Sequence, residues 1–489
     1  MNAQAFIGVD LGTTAAKAVA LGIDGALLGE STVGYSTQRG DGGSAEQDPL
    51  HWLDAIECAV AQVLGADAVV PISVGICSQV NTHVLVDGQR VALAPAITWQ
   101  DQRCAPIARR LNQTLGQEQV LEIWGGPFSI DASFSLCRHL WFEEHRPELA
   151  DRATHLLSPK DYCVAALVDA VSTDPLSPVG LVGHDGSYNP SVLSLAPRFA
   201  ERQAAIAAFD SCAGYSNGRL GLPAGLPVSV GTMDAWGGIF GSGAVRPGMS
   251  FQMSGTSEIV GTVGSASGSA DGVISFPPVK GRFVHAGPTQ AGGDALRWVA
   301  DLLGMTISDA LASSDRGGDR DQPLLFLPHL AGERAPVWSS EARGVFLGLT
   351  SQTESCDLLG AVLHGVAFQA RRVMERCRSA VPEVVTAVRL SGGATESARW
   401  NQIKADVLDL PAEVVACRAA GAVGAALMGA AAHGEYGDLD GLADRLVAVA
   451  ARVEPQPGPR RRLDDLYDQY CELYEALLVP FERLAATPD

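Results

Sequence analysis

The order of apolar and polar positions divides the chain into strand-like and helix-like stretches that recur in its two halves. Residues 6–21 run from Phe6-Ile7-Gly8-Val9 through Asp10-Leu11-Gly12-Thr13-Thr14 into a second apolar segment ending at Leu21. That is the pattern of two strands joined by a glycine turn. It returns at 250–263, where Gly255-Thr256-Ser257 separates two further strand-like runs. Related turns half a chain apart predict an internal duplication and hence two similar domains meeting at a cleft. Between them, the stretch from Gly241 to Gly248 has the composition of a flexible connection, which sets the predicted domains at 1–245 and 246–489.

Further strand-like runs at 71–77, 84–86, 228–230, 324–327 and 386–390 alternate with helical stretches, so each half reads as an α/β domain. The clearest helix joins Leu359, Val362, Leu363, Val366, Ala370, Val373 and Cys377 at helical spacing, a stripe predicted to face the core. After the breaker Pro455-Gln456-Pro457-Gly458-Pro459, a last helix gathers Leu463, Leu466, Tyr470, Tyr474 and Leu477 on one side and is predicted to pack back on the body.

Composition narrows the function. With 47% hydrophobic and 18% charged residues over 489 positions, the chain is a globular protein with room for two or three domains. Its formal charge is −20, and Lys17, Lys160, Lys280 and Lys404 are its lysines, so no polybasic patch can be built from lysine and a nucleic-acid or membrane role is disfavoured. Ten scattered cysteines include no C-x-x-C, and ten histidines include no H-E-x-x-H. A reducing cytoplasm is the expected compartment. The most apolar stretch, 419–432, is Ala/Gly-rich and too short for a membrane span.

A nucleotide site must hold phosphates, yet no lysine follows a glycine, which excludes a P-loop, and Gly241-Ser242-Gly243 lacks the third glycine of a dinucleotide fingerprint. What is left is a pair of glycine-turn hairpins presenting backbone N–H groups and threonine hydroxyls. Asp10, just before the first turn, is either a turn-former or a carboxylate that holds Mg²⁺ through water. Lys17, just past the turn, either reaches a phosphate or lies in solvent. Asp234, in Gly231-Thr232-Met233-Asp234, reads as a helix N-cap or as a base that accepts a hydroxyl proton during phosphoryl transfer.

Asp10-Leu11-Gly12-Thr13-Thr14, Glu46-Gln47-Asp48-Pro49, Trp99-Gln100-Asp101-Gln102-Arg103 and Ser158-Pro159-Lys160-Asp161-Tyr162 follow one another in a set order. Ala331-Gly332-Glu333-Arg334-Ala335-Pro336, Ala342 to Leu349 and Ser391-Gly392-Gly393-Ala394 continue it. Over nearly its whole length the chain thereby resembles the FGGY carbohydrate kinases, most of all the xylulokinases, with glycerol kinases more distant. The resemblance implies two actin-like domains of the ribonuclease-H type flanking a cleft for ATP and substrate. It further implies transfer of the γ-phosphoryl group to a sugar or polyol hydroxyl, with D-xylulose as the first candidate, and it allows for a homodimer. By the matched motifs Asp234 would be the catalytic base and Asp10 the metal-associated carboxylate. Gly12, Thr13, Thr14, Lys17, Gly255, Thr256, Gly293, Gly392, Gly393, Ala394 and Ser397 would form the ATP site.

For the sugar, Gln79, Asn81, Trp99 and Asp101 join Asp234. Xylulokinases carry Gln-Met-His where this chain has Gln79-Val80-Asn81-Thr82-His83, so the family histidine is either replaced by Asn81 or shifted to His83. Asn still hydrogen-bonds hydroxyls without charge. Trp99 is otherwise core, and Asp101 is otherwise the partner of Arg103. Other pentuloses, erythritol, xylitol and glycerol are rival substrates; a chaperone-like or sensor ATPase of the same architecture is the rival from a different class.

Overall fold

The computed structural model describes residues 3–116, 130–183, 185–314 and 323–486. The elements used below are, in chain order, β1 (Ala3–Leu11), β2 (Ala15–Gly22), β3 (Leu27–Gly34), α1 (Pro49–Ala68), β4 (Val69–Ser78), α2 (Pro159–Val168), β5 (Cys212–Asn217), β6 (Ala224–Ser229), β7 (Thr232–Met233) and α3 (Asp234–Gly241). They continue with β8 (Ser250–Ser254), β9 (Glu258–Gly264), β10 (Ile274–Ser275), β11 (Phe283–Pro288), α4 (Gly293–Leu302), α5 (Ser355–Ser379), β12 (Val388–Ser391) and α6 (Ala398–Leu408). The last are β13 (Ala412–Val415), α7 (Ala420–His433), β14 (Val449–Val453) and α8 (Arg460–Ala485).

The chain forms two units, one of residues 1–243 and 419–447, the other of 244–418 and 448–489. A single cut after residue 245 therefore misses that 419–447 returns to the first unit. The reason is steric. An added Cβ at Gly8 would lie 1.9 Å from the carbonyl oxygen of Ala422, and one at Gly75 would lie 1.8 Å from that of Ala425. On the other side of α7, Gly241 and Gly424 are equally tight, since a Cβ added to either would come within 1.8 Å of the Ala420 oxygen and 1.9 Å of the Gly237 oxygen, respectively. Backbone thus packs on backbone where β1, β4 and α3 meet α7, which explains the Ala/Gly composition of that helix. It also corrects the reading of the stretch from Gly241 to Gly248 as a flexible connection, because Gly241 to Val245 are buried and Gly241 is a packing glycine.

Both units carry the same sheet. In the first the strand order is β5-β6-β4-β1-β2-β3, with β7 also pairing β4; in the second it is β10-β11-β9-β8-β12-β13-β14. An antiparallel hairpin (β1/β2, β8/β9) leads in each case to a parallel neighbour of its first strand (β4, β12) and then to a further parallel strand (β6, β13). The predicted duplication is present as topology. The edges differ: the antiparallel outer strand β5 precedes its partner in the chain whereas β14 follows its own, and at the other edge β10 adds a strand beyond β11 that has no counterpart beyond β3.

The α5 stripe from Leu359 to Cys377 is buried throughout, as its spacing predicts. On α8, Leu463, Tyr470 and Tyr474 are buried in the second unit's core, and Leu466 and Leu477 are partly buried against it.

The glycine contacts give a direct test. Gly75→Ala or Gly424→Ala drives a methyl into a carbonyl and is expected to cost about 3 kcal/mol. Gly360→Ala, inside α5 with nothing within 4 Å of the new methyl, is expected to gain about 0.5–1 kcal/mol. Denaturant titration of the three variants checks the contrast.

Candidate active site

Three parallel strands of the first unit end together. In register, Asp10 of β1 pairs with Cys77 of β4, Cys77 pairs with Thr232 of β7, and Met233 pairs with Ser78. The residues at or just past these ends, Asp10, Gln79 and Asp234, accordingly emerge at one carboxyl edge, where α/β sheets receive ligands. Asp234 is the first residue of α3; Met233 is the N-cap, so the aspartate is one position inside the helix rather than capping it. Its Oδ1 accepts a hydrogen bond from Ala235 N at 2.7 Å.

Both carboxylates are costly to ionise. Burial first, then the charge of Asp10, pushes the pKa of Asp234 up from 3.8 to about 7. Asp10 is also raised, chiefly by burial, with its cross-strand partner Lys17 and the Cys77 thiol working the other way. The thiol lies 3.6 Å from Asp10 Oδ1 and donates to Gly421 O at 3.3 Å. A Cβ at Gly421 would fall 2.5 Å from Asp10 Oδ2, so the carboxylate abuts the first turn of α7, whose dipole favours negative charge.

The turn after β1 is anchored from several sides. Gly12 N donates to Ala15 O at 3.0 Å, Tyr35 donates its hydroxyl proton to Gly12 O, and Tyr35 N donates to Thr14 O at 3.0 Å. Gln47 Nε2 donates to Thr13 O at 2.7 Å, and Trp99 Nε1 donates to Thr13 Oγ1 at 3.0 Å. Trp99 is 40% exposed, so it is not a core residue, and its indole ties the turn to the 97–103 loop.

Gln79 is buried. Its backbone N donates to Leu11 O at 2.8 Å, its Nε2 to Gln47 Oε1 at 2.9 Å, and its Oε1 accepts from Thr82 Oγ1 at 3.2 Å. Thr82 Oγ1 in turn accepts from Trp99 N at 3.1 Å. Gln79 thus reaches the glycine turn through Gln47, and Trp99 reaches it through Thr13.

Asn81 takes the left-handed conformation (φ 57°) and is half-buried. His83 is buried with its backbone bridged to Ile97, and burial together with Arg138 pushes its pKa down to about 3, leaving it neutral. The open one of the two is Asn81. Asp101 is engaged within the protein. It is fully buried, accepts from Ala45 N at 2.7 Å and from Arg103 at 2.9 and 3.0 Å, and faces Arg138 at 3.4 Å. The structure shows the pairing with Arg103, and the bond to Ala45 N together with the Arg103–Glu46 pair ties Asp101 to the 44–47 segment. Lys17 is exposed.

In the second unit the expected nucleotide residues cluster by the same logic. Met253 of β8 pairs with Ser391 of β12, so Gly255-Thr256 and Gly392-Gly393 follow strand ends that lie side by side. Gly293 N donates to Gly255 O at 2.9 Å and Asp294 N to Thr256 O at 3.2 Å, which brings the start of α4 to the same turn. Gly392 has φ 90°, and a Cβ there would meet Ser254 O at 2.3 Å, so only glycine fits. Beneath the turn, buried Glu258 accepts from Ser254 Oγ at 2.6 Å and Gln252 Nε2 at 2.8 Å and pairs with Lys404 at 3.1 Å. Ala394 is partly buried, and Ser397 caps α6, its hydroxyl accepting from Trp400 N at 3.1 Å.

Comparison with known proteins decides the family. Residues 5–241 match the family model described as the FGGY family of carbohydrate kinases, N-terminal domain, and residues 252–433 match that of the C-terminal domain. The chain belongs to the FGGY family of carbohydrate kinases. It is 26% identical to a gluconokinase of Bacillus subtilis, covering 90% of each chain, and 26% identical to a xylulose kinase of Staphylococcus epidermidis, covering 99% of each. A ligand-bound xylulose kinase from Lactobacillus acidophilus shares the fold with a TM-score of 0.87 at 23% identity, covering 98% of this chain and 100% of that one. The protein is thus an ATP-dependent sugar kinase with the two actin-like, ribonuclease-H-like domains of its family.

For this kinase, Tyr35 and Gln47 are the residues that motif reading underrates. Gln47 lies within one of the ordered motifs, which by itself gives it no role, and nothing in the spacing around Tyr35 marks it. Among the described residues no group of three or more His, Cys, Asp or Glu side chains is arranged to hold a metal ion. Asp10, half-buried at the carboxyl edge of the sheet, still fits a divalent cation of the Mg²⁺ kind, which takes few carboxylates and keeps most of its waters.

The raised pKa of Asp234 has a consequence for stability. A carboxyl raised on folding costs nothing while protonated below its unfolded value near 3.8, and its cost is complete above about 7. Asp234→Asn is therefore expected to stabilise the protein at pH 8 by about 1–2 kcal/mol, after discounting for solvent access, and to change little near pH 4. Denaturation of both proteins at the two pH values checks the sign.

Proposed function

We propose that this kinase transfers the γ-phosphoryl group of ATP to a hydroxyl of a small uncharged ketose, with D-xylulose giving D-xylulose 5-phosphate, and that Asp234 is the catalytic base. The observation that carries the reading is the common carboxyl edge of β1, β4 and β7, which sets Asp234 beside Asp10 and next to the Gln79–Asn81 segment. A base with a pKa near 7 is matched to neutral solution. Asp234 accepts the proton as the hydroxyl oxygen bonds to the γ-phosphorus, the bond to the bridging oxygen breaks, and ADP leaves; the proton then passes to solvent.

Mg²⁺, when bound, supplies charge neutralisation on the phosphates, and Asp10 is the side chain that would hold it through water. The turn Gly12 to Thr14 and the turn Gly255-Thr256 would each bind phosphate oxygens through threonine hydroxyls and the N–H groups of Thr13, Thr14 and Thr256, since Gly12 N and Gly255 N are hydrogen-bonded to Ala15 O and Ser257 O. Gly392, Gly393 and Ala394 would take the nucleoside, with Gly293 and Ser397 flanking.

Charge favours a neutral sugar over an aldonate. Three cations of this part of the first unit are ion-paired, Arg103 with Asp101 and Glu46, Arg138 with Asp101, and Lys160 with Asp161 and Asp174, while the exposed Arg39 donates to the neutral Gln100 at 2.6 Å. What is offered to the sugar is the amide of Asn81, the indole of Trp99 and the carboxylate of Asp234, a set suited to hydroxyls and C–H faces.

A coupled ADP-release panel of D-xylulose, D-ribulose, xylitol, erythritol, glycerol and D-gluconate tests the substrate. The highest kcat/KM is expected with D-xylulose, and a clear preference for D-gluconate would overturn the charge argument. Asn81→Gly keeps the left-handed backbone while removing the amide, and is expected to lower kcat/KM for the best sugar by roughly ten- to a hundredfold. Asp234→Asn is expected to lower kcat by about a hundredfold or more with sugar affinity retained.

A further inference from the structure

Behind Asp234 lies an ionic cluster that the reaction does not touch. Lys160, in the first turn of α2, is fully buried; its Nζ stands 3.0 Å from Asp174 Oδ1, pairs with Asp161 Oδ1, and lies 3.4 Å from Val230 O. Asp174, also fully buried, accepts from Thr232 Oγ1 at 2.7 Å through its other oxygen, and from Leu176 N and Ser177 N at 3.0 and 3.2 Å. Thr232 is the fully buried residue two positions before Asp234. From the other side, Gly231 (φ 73°) lets the chain pass against β4, since a Cβ there would sit 1.9 Å from Ile76 O. Lys160 N also donates to Ser78 Oγ at 3.1 Å, joining the start of α2 to the end of β4.

Burying one cation with two carboxylates is costly, and well-packed apolar side chains of equal volume generally stabilise at least as well. What the cluster adds is direction: the ion pair places Asp174 Oδ1 beside Lys160, and the hydrogen bond to Oδ2 fixes Thr232. We propose that Lys160, Asp174 and Thr232 form a positioning relay that holds β7 in register and so fixes the carboxylate of Asp234 for proton transfer. Lys160 orients Asp174, Asp174 holds the Thr232 hydroxyl, and the strand carries that position two residues on to the turn into α3. This rests on the reading of Asp234 as the base, and all three are positioning residues with no contact to substrate.

Thr232→Val keeps the shape of the side chain and deletes the hydroxyl. Its kcat with the best sugar of the panel is expected to fall about tenfold while the KM for sugar and for ATP stays within about twofold, because a misplaced base slows the transfer and leaves binding alone. Thr232→Ser, which restores the hydroxyl, is expected to recover most of kcat. Circular dichroism and melting of each variant accompany the kinetics, and if Thr232→Val does not fold, Thr232→Ala against Thr232→Ser gives the same comparison. A Thr232→Val enzyme with kcat within about twofold of wild type, equal losses in the Val and Ser variants, or a loss confined to KM would overturn the relay. Asp234→Asn assayed alongside separates the two ideas: a near-normal kcat there removes the base assignment itself, whereas its collapse beside a normal Thr232→Val removes the relay alone.

Discussion

The first unit is organised around one constraint: two carboxylates that repel one another must be held at the same edge of a sheet. Asp10 and Asp234 arrive there because β1, β4 and β7 are parallel and in register, with Cys77 between Asp10 and Thr232. Burial raises both pKa values, and for Asp234 the charge of Asp10 adds to it, an unfavourable arrangement that the packing sustains. The glycine contacts hold α7 against β1, β4 and α3, and the first turn of α7 meets Asp10. In the proposed function, the charge that destabilises the free protein is charge that a bound divalent cation would satisfy.

The second unit repeats the sheet without repeating the carboxylate pair. Its hairpin turn, Gly255-Thr256, is supported from below by Glu258 and Lys404 and met from the side by Gly292-Gly293 and Gly392. One topology thus supports two chemistries, acidic in the first unit and glycine-lined in the second. The duplicated fold supplies strand ends at matching places, and the residues put there divide the work.

Much of this was legible in the sequence. The Gly-Thr turns after Asp10 and after Ser254 mark the hairpins, and the spacing from Leu359 to Cys377 marks a core helix, because both depend on local pattern. Three features were not legible, each for a tertiary reason. The return of 419–447 to the first unit depends on glycines at 8, 75, 237 and 241 that lie far away in sequence. Asp101 looks like a sugar ligand in its motif, but Arg138, 37 residues on, joins Arg103 in enclosing it. The role of Tyr35 rests on a hydroxyl reaching Gly12 O across a sheet edge, which no spacing encodes.

The ionisation of Asp234 is where the proposed mechanism meets its most direct test. A ¹³C carboxyl titration of the ligand-free protein, with Asp234→Asn used to assign the signal, measures it. The expected midpoint lies near 7 and falls when Asp10 is replaced by Asn. A midpoint near the ordinary carboxylate value of 3.8 in the unsubstituted protein, unmoved by Asp10→Asn, would contradict the picture of two half-buried carboxylates of which Asp10 raises Asp234.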